Sequence, residues 1–124
     1  MAHLNNIIAQ AKENDNFRQV LSTGEHTQVV IMSIPPGGEI GEEVHEENDQ
    51  VLVLVEGNGT AIVGDEESDF NTGDLVLVPA GTKHNFVTQG DAPMKIVTTY
   101  SPPHHPEDTV HTTKEAADAA EAAE

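Results

Sequence analysis

Apolar residues recur along this chain in short runs that turn-forming residues separate. The run from Val29 to Ile34 is rich in β-branched residues and stops at two prolines and two glycines, 35–38, which predicts a strand that enters a loop. Further short strands are predicted at 51–55, 60–63, 75–78 and between Asp65 and Asn71. Strands of about five residues divided by glycine, asparagine and aspartate turns are typical of an antiparallel barrel or jelly roll.

Two of these strands, 51–55 and 75–78, are apolar at every position rather than at alternate positions. That pattern indicates that both faces of each strand are covered. One face belongs to the barrel interior, and the other needs a second sheet, an N-terminal helix or a partner subunit. We therefore expect a homodimer.

Both ends of the chain carry helical patterns. Near the N-terminus, apolar spacing predicts a short amphipathic helix on the outside of the barrel, formed by Leu4, Ile7, Ile8 and Ala11. Near the C-terminus, Thr112 and Glu115 fit a capping box before an acidic, alanine-rich segment. Like charges three residues apart predict a frayed, solvated helix there, in preference to a partner-binding helix. The predicted division is a helix at 1–16, a barrel at 17–101, and a proline/histidine segment with an acidic tail at 102–124.

Composition excludes several partners and chemistries. Five Lys+Arg against 22 Asp+Glu residues give a formal net charge of −17, which repels phosphate backbones and anionic lipids, so neither nucleic acid nor membrane is an expected partner. Because the chain has no cysteine, disulfides and thiol chemistry are excluded. The chain also lacks a stretch of roughly 20 apolar residues and a signal-peptide pattern. The sequence therefore predicts one soluble, cytoplasmic domain.

The acidic excess also predicts a halophilic source, because molar salt screens the self-repulsion of such a surface. We expect the melting temperature to rise between low and molar salt. Thermal unfolding at both salt concentrations measures this, and an unchanged melting temperature would contradict it.

Two glycine-bounded blocks, 37–57 and 73–88, carry the polar side chains with candidate chemistry. The first reads GGEIGEEVHEENDQVLVLVEG and the second GDLVLVPAGTKHNFVT. Their spacing of glycine, proline, histidine and carboxylate or amide positions resembles the paired motifs of the cupin superfamily, over roughly residues 28 to 100. Three positions depart from the family pattern: Glu43 replaces a histidine, Gln50 a carboxylate and Thr88 an asparagine.

The resemblance implies a double-stranded β-helix (jelly-roll) barrel with a metal ion near one mouth. The implied metal ligands are Glu43, His45, Gln50 and His84. Alternation along strands directs the first two ligands to one side, and places the other two on faces that carry nearby apolar residues. Those apolar residues, which would shape a substrate pocket, are Leu52, Leu54 and Phe86.

Two imidazoles and one carboxylate suit a divalent Fe, Mn, Zn, Ni or Cu ion, and with open positions they are typical of non-haem iron sites. A divalent ion beside one carboxylate keeps a formal charge of about +1, which attracts an enolate, a carboxylate or a deprotonated diol. The expected substrate is therefore a small oxygen chelator with apolar bulk. Gln50 is the weakest ligand, because a neutral amide oxygen is a poorer donor than a carboxylate, and it would otherwise contact a coordinated water or the substrate.

Other polar residues are weaker candidates for a functional role. Lys83 should point outward by alternation, and nothing in the pattern places Arg18, the only arginine, at the barrel mouth, so phosphosugars fit poorly. No nucleophile elbow or phosphate-binding glycine loop is present. A candidate lid that could carry a general acid or base contains His104, His105 and His111. The alternative for that segment is a solvent-exposed tail.

Three functional hypotheses follow from these residues. The leading one is a metal-dependent enzyme of the dioxygenase type, with sugar isomerase or lyase chemistry next. The second is a non-catalytic cupin that binds or senses a small ligand. The third is a purely structural barrel. The cupin fold serves several unrelated functions, so the site has to decide among them.

Overall fold

A computed structural model describes residues 1–122 of the chain and shows a β-barrel with a short helix at either end. The strands are β1 (Arg18–Thr23), β2 (Gln28–Ile34), β3 (Asp49–Glu56), β4 (Asn58–Val63), β5 (Glu66–Asn71), β6 (Leu75–Val78), β7 (His84–Gln89), β8 (Met94–Ser101) and β9 (Val110–His111). The helices are α1 (Ile7–Glu13) and α2 (Lys114–Ala122). The predicted all-β class is confirmed. Residues 123–124, the end of the predicted acidic tail, lie outside the described residues.

Two antiparallel sheets face each other across one core. The larger sheet has the strand order β6-β3-β8-β2-β1-β9, and the smaller has the order β5-β4-β7. Their inward side chains form a single buried cluster that includes Met32, Leu52, Phe70, Phe86 and Ile96. Burial of this apolar surface is the main force that holds the two sheets together.

The predicted strands are confirmed, and their ends fall at the predicted turns. The run that stops at Pro35 is β2, and the strand that ends at Asn71 is β5. Between β3 and β4, Gly57 has a φ of +94°, and a Cβ atom there would overlap the carbonyl oxygen of Pro93. Only glycine fits this turn, because it alone adopts positive φ at no steric cost and has no side chain to collide.

Helix α1 covers the outer face of the larger sheet, as predicted. Ala11 is fully buried there against Ile31 and Val55. The buried ammonium of Lys95 on β8 donates a hydrogen bond to the carbonyl oxygen of Asn14, directly after the helix. The helix is therefore fixed both by apolar packing and by a charged hydrogen bond. No helix in residues 1–122 is long and apolar enough to cross a membrane.

Helix α2 is exposed along most of its length, as predicted for a solvated helix, but two residues anchor it to the barrel, which the prediction of a frayed helix missed. Ala117 is buried in the main core, and Glu121 forms an ion pair with the buried Arg18. The capping residue is Thr113, not the predicted Thr112: its hydroxyl accepts a hydrogen bond of 3.1 Å from the amide three residues later. Tertiary contacts supply the stability that the local sequence lacks, as they do for most short helices.

Strand β6 leaves an apolar face open at the edge of the larger sheet. Leu75 and Leu77 are 60% and 56% exposed, whereas Val78 is buried. The expected cover for both faces is present on β3, where α1 packs against Val53, but β6 has none within residues 1–122. The homodimer stays a prediction.

Candidate functional site

The candidate metal ligands lie on three segments of the chain. Glu43 and His45 belong to an irregular segment, 35–48, while Gln50 lies at the start of β3 and His84 at the start of β7. Glu43 and His84 exchange two backbone hydrogen bonds of 2.9 Å. This bridge fixes the irregular segment against the smaller sheet, so that two candidate ligands come from a loop rather than from the regular strand that alternation assumed.

Glu43 and His45 point into the barrel side by side. The Oε2 atom of Glu43 lies 3.5 Å from the Nε2 atom of His45. That nitrogen is buried and has no hydrogen-bond partner among the described residues. Two ligands that bind one ion at about 2.1 Å and at right angles are about 3 Å apart. The spacing of the two atoms therefore suits a shared cation.

Gln50 presents its amide oxygen to the same interior. Its Nε2 atom donates a hydrogen bond of 3.0 Å to the hydroxyl of Thr98, which orients the amide and leaves the oxygen directed away. The oxygen is buried without a partner among the described residues. An unsatisfied buried acceptor of this kind costs free energy unless it binds a ligand or water.

The backbone carbonyl group of Thr82 orients the ring of His84. Its Nδ1 atom lies 2.9 Å from the carbonyl oxygen of Thr82, so Nδ1 is the protonated nitrogen and donates, which leaves Nε2 with a free lone pair. The His84 and His45 rings are 5.2 Å apart between centroids. A histidine ligand held through its other nitrogen by a carbonyl is common in metal sites.

The four residues fit a metal ion by the chemistry of their donor atoms, but they do not yet form a closed shell. Within residues 1–122, no three histidine or carboxylate side chains come together closely enough to hold an ion as they stand. The assignment of Glu43, His45, Gln50 and His84 as ligands therefore stays a prediction, supported by their adjacency and by the two unpartnered buried atoms.

Burial controls the protonation of these groups. It raises the pKa of Glu43 to about 7, because a carboxylate loses hydration inside the barrel. Burial, with the nearby imidazoles of His104 and His84, lowers the pKa of His45 to about 4. Burial also lowers the pKa of His84. Both histidines are therefore neutral at physiological pH, as metal ligation requires.

Replacement of Glu43 by glutamine should stabilise the metal-free protein at neutral and alkaline pH. Folding raises the pKa of Glu43 from 4.5 to about 7, so the folded state holds this proton more tightly than the unfolded state. That contribution is complete below pH 4.5 and is lost as the pH rises through 7. At pH 8 the Glu43→Gln variant should exceed the wild type by on the order of 2 kcal/mol in free energy of unfolding.

Urea unfolding of chelator-treated protein at pH 5 and pH 8 measures this difference. Glu42→Gln is the matched control, because Glu42 precedes Glu43 and its side chain is exposed. An identical pH dependence of stability in the wild type and Glu43→Gln would contradict the assignment of a buried, destabilised carboxylate.

The histidines of the candidate lid pack against the site. The His104 ring lies 4.5 Å from that of His45 between centroids, and His105 contacts the Tyr100 ring at 5.0 Å. The amides of both lid residues donate hydrogen bonds to the Gln28 side chain at 3.1 and 3.0 Å. His104 and His105 are thus anchored over the site, and their role as a lid stays a prediction.

The three predicted pocket residues lie in the core of the barrel. Leu52, Leu54 and Phe86 are fully buried and belong to the main apolar cluster, and Phe86 packs against Phe70 with ring centroids 5.2 Å apart. Their faces agree with the predicted alternation, because Gln50 is buried on the same side of β3. Their contact with a substrate stays a prediction.

Sequence reasoning missed Arg18. It is only 2% exposed and lines a cavity of about 260 Å³ together with Glu43, so the expectation that nothing brings it to the site is wrong. The Nδ1 atom of His111 lies 3.3 Å from Nη1 of its guanidinium. Burial raises the pKa of the Tyr100 hydroxyl, and the charge of Arg18 has a smaller effect in the opposite direction. Alternation along β1, where Arg18 and Val20 are both buried, was the available signal. Lys83 points outward, as predicted.

The sequence of residues 30–100, more than half of the chain, matches the family model for the cupin domain. The chain belongs to the cupin family. This cupin is 39% identical to the BH2720 protein of Bacillus halodurans, whose crystal structure superimposes with a TM-score of 0.94 over 96% of this chain and 95% of that one.

Two curated relatives are similar over most of this cupin. The uncharacterized protein YrkC of Bacillus subtilis is 41% identical over 122 residues, which cover 94% of this chain and 66% of YrkC. The uncharacterized protein L612 of Acanthamoeba polyphaga mimivirus is 32% identical over 105 residues, which cover 82% of this chain and 66% of L612. The cupin described here thus spans just under two thirds of either relative.

Proposed function

We propose that this cupin is a metal-dependent enzyme that acts on a small anionic oxygenated substrate. Glu43, His45, Gln50 and His84 would hold one divalent transition-metal ion, Fe, Mn, Zn or Ni. The observation that carries the proposal is the pair of buried atoms without partners, His45 Nε2 and Gln50 Oε1, beside a carboxylate 3.5 Å from the first. Unpaired buried polar atoms persist mainly where a ligand or ion satisfies them.

The bound ion would supply Lewis acidity toward an anionic oxygen of the substrate. Around it, the protein keeps both imidazoles neutral and orients His84 through Thr82. Glu43 would lower the formal charge of a divalent ion to about +1, which would still favour an anionic oxygen over a neutral one. The 2-His-1-carboxylate set favours a dioxygenase-type oxidoreductase, with isomerase or lyase chemistry as the next alternative.

One observation favours the competing function, a non-catalytic cupin that binds or senses a small ligand. Burial raises the pKa of Tyr100 and lowers that of His105, so neither group changes its protonation near neutral pH. Few groups beside the candidate ligands are therefore suited to general acid–base catalysis, which works best with a pKa near the operating pH.

Elemental analysis and oxygen uptake test the two functions. Protein purified without chelators or nickel resin should contain about one equivalent of metal, as one site per chain requires. Oxygen consumption is then measured with diketones, enols and catechols, before and after treatment with a chelator. Turnover that stops on metal removal supports the enzyme, whereas saturable binding without turnover supports the binding protein and contradicts the enzyme.

The exposed apolar face of β6 supports a homodimer as the assembly in which the cupin acts. Leu75 and Leu77 should mediate it, because large exposed side chains on an edge strand favour association. The double variant Leu75→Glu/Leu77→Glu should be monomeric by light scattering. Its control is Ile8→Glu/Val110→Glu, which changes two similarly exposed apolar residues elsewhere. A monomeric wild type, or a dimer that survives the first double variant, would contradict the proposal.

A further inference from the structure

Arg18 is a buried cation that the barrel itself leaves incompletely paired. Its side chain is 2% exposed, and its guanidinium lies over the Phe17 ring, 5.2 Å from the centroid. The Nε atom is buried and has no hydrogen-bond partner among the described residues. A guanidinium has five N–H donors in a planar fork that matches a carboxylate. A buried charge with a free donor is costly to maintain unless a ligand uses it.

The acidic partner of Arg18 comes from α2 and is held by a single contact. The Oε1 atom of Glu121 lies 3.4 Å from Nη1 of Arg18, and the Glu121 side chain is 42% exposed. This geometry is longer than the bidentate pairing that arginine and carboxylate usually reach, near 2.8 Å. Glu121 therefore neutralises Arg18 without occupying all of its donors.

Arg18 shares one chamber with Glu43, one of the four candidate metal ligands. The cavity of about 260 Å³ lies between the barrel and α2, and both Arg18 and Glu43 line it. Glu121 and Lys114, from opposite ends of α2, line the same cavity. A molecule in this chamber could therefore contact Arg18 with one oxygen group and reach the position of Glu43 with another.

We propose that Arg18 is the anion-binding residue of this chamber, that it recognises a carboxylate of the ligand, and that Glu121 occupies the same position when no ligand is bound. The proposal names the substrate class within the proposed function and rests on it for the second oxygen group. The ligand class is a small carboxylate that carries a further oxygen donor. Release of Glu121 would free α2 at its C-terminal end, so the helix also acts as a displaceable cover.

The surrounding charges favour a carboxylate over a phosphate. Glu39, Glu42 and Asp118 also line the chamber, and the Lys114 ammonium is paired with Asp118 at 2.8 Å. A phosphate would bring two negative charges to the guanidinium itself, whereas a dicarboxylate such as malonate brings one there and carries the other on its far carboxylate, so these acids repel phosphate more strongly at this position. The group that contacts the guanidinium in this structure, the side chain of Glu121, is itself a carboxylate, which shows that the shape of the site accepts one.

Malonate binding to chelator-treated protein tests the proposal. Tyr100 is the only tyrosine, the chain has no tryptophan, and the charge of Arg18 acts on the pKa of the Tyr100 hydroxyl, so tyrosine fluorescence reports on changes around Arg18. Malonate should change the fluorescence in a saturable way. Glu121→Gln should tighten binding about three- to tenfold by removing the competitor, and Arg18→Gln should weaken it by roughly 10- to 100-fold.

Lys12→Gln is the matched control, because it removes an exposed cation that does not line the chamber; its malonate affinity should stay within about twofold of the wild type if recognition is specific to Arg18. Equal affinity in Arg18→Gln and the wild type would overturn the proposal. So would a Glu121→Gln variant that loses melting temperature without gaining affinity, since that result marks the ion pair as purely structural. Inorganic phosphate that binds more tightly than malonate would overturn the carboxylate assignment.

Two features of the malonate titration ensure that it tests the proposal even if a variant fails to fold or the protein lacks metal. If Arg18→Gln does not fold, Glu121→Gln alone decides, because its side chain is partly exposed and an unchanged affinity overturns the proposal. The titration uses metal-free protein, so absence of metal from purified wild type would contradict the proposed function without altering the malonate result. Conversely, stoichiometric metal with no malonate response would overturn the role of Arg18 alone.

Discussion

A variant with alanine at both His45 and His84 should purify without bound metal, whereas the wild type should retain about one equivalent. The two imidazoles supply the neutral nitrogen donors of the proposed site, and burial keeps them unprotonated. Loss of a single outer contact to a metal ligand typically costs 10- to 100-fold in affinity, so loss of two ligands should cost more than about 100-fold. Elemental analysis of both proteins after gel filtration measures the difference.

The control for this variant removes two histidines that lie on the surface. His3 and His26 are exposed, so His3→Ala/His26→Ala lowers the histidine count equally and should leave metal content unchanged. Circular dichroism establishes that both variants are folded. Stoichiometric metal in the folded His45→Ala/His84→Ala protein would refute the site.

Truncation of Phe86 to alanine should lower the free energy of unfolding by about 3–5 kcal/mol. The side chain is fully buried and packs against Phe70, so its removal loses apolar burial and leaves a cavity between the two sheets. A domain of this size is typically stable by only about 5–15 kcal/mol. Urea unfolding of the metal-free protein, monitored by circular dichroism, measures the loss.

Phe86→Leu serves as the conservative comparison, because it retains most of the apolar volume and should cost less than half as much as the alanine variant. A loss below about 1 kcal/mol for Phe86→Ala would contradict close packing at this position. It would instead favour the pocket predicted from the sequence, in which Phe86 borders space reserved for a substrate.

The local pattern of apolar and turn-forming residues was sufficient to predict most strands of the barrel. Strand β2 stops where Pro35 begins a turn, and alternation correctly directed Gln50, Leu52 and Leu54 to one face of β3. These features depend on neighbours in sequence, through the period of a strand and the geometry of a turn. For the same reason, the helical spacing of apolar residues around Ala11 predicted which side of α1 packs on the sheet.

The contacts between α2 and the barrel could not be predicted in the same way. Arg18 and Glu121 are separated by 103 positions, and α2 has a polar, alanine-rich sequence whose only buried side chain in the core is Ala117. Composition favoured a solvated helix, because so small an apolar surface rarely secures one. Burial of Ala117 and an ion pair to the buried Arg18 hold it on the barrel, and both contacts depend on residues far away in the sequence.

The attachment of the segment 35–48 has a consequence for how quickly the barrel can exchange a bound ion. Glu43 and His45 belong to a loop joined to β7 by a short set of backbone bonds, whereas Gln50 and His84 belong to the two sheets. Local opening of loops costs far less than global unfolding. Glu43 and His45 are therefore the ligands that we expect local opening to release first, so that loading or loss of an ion needs no disassembly of the core.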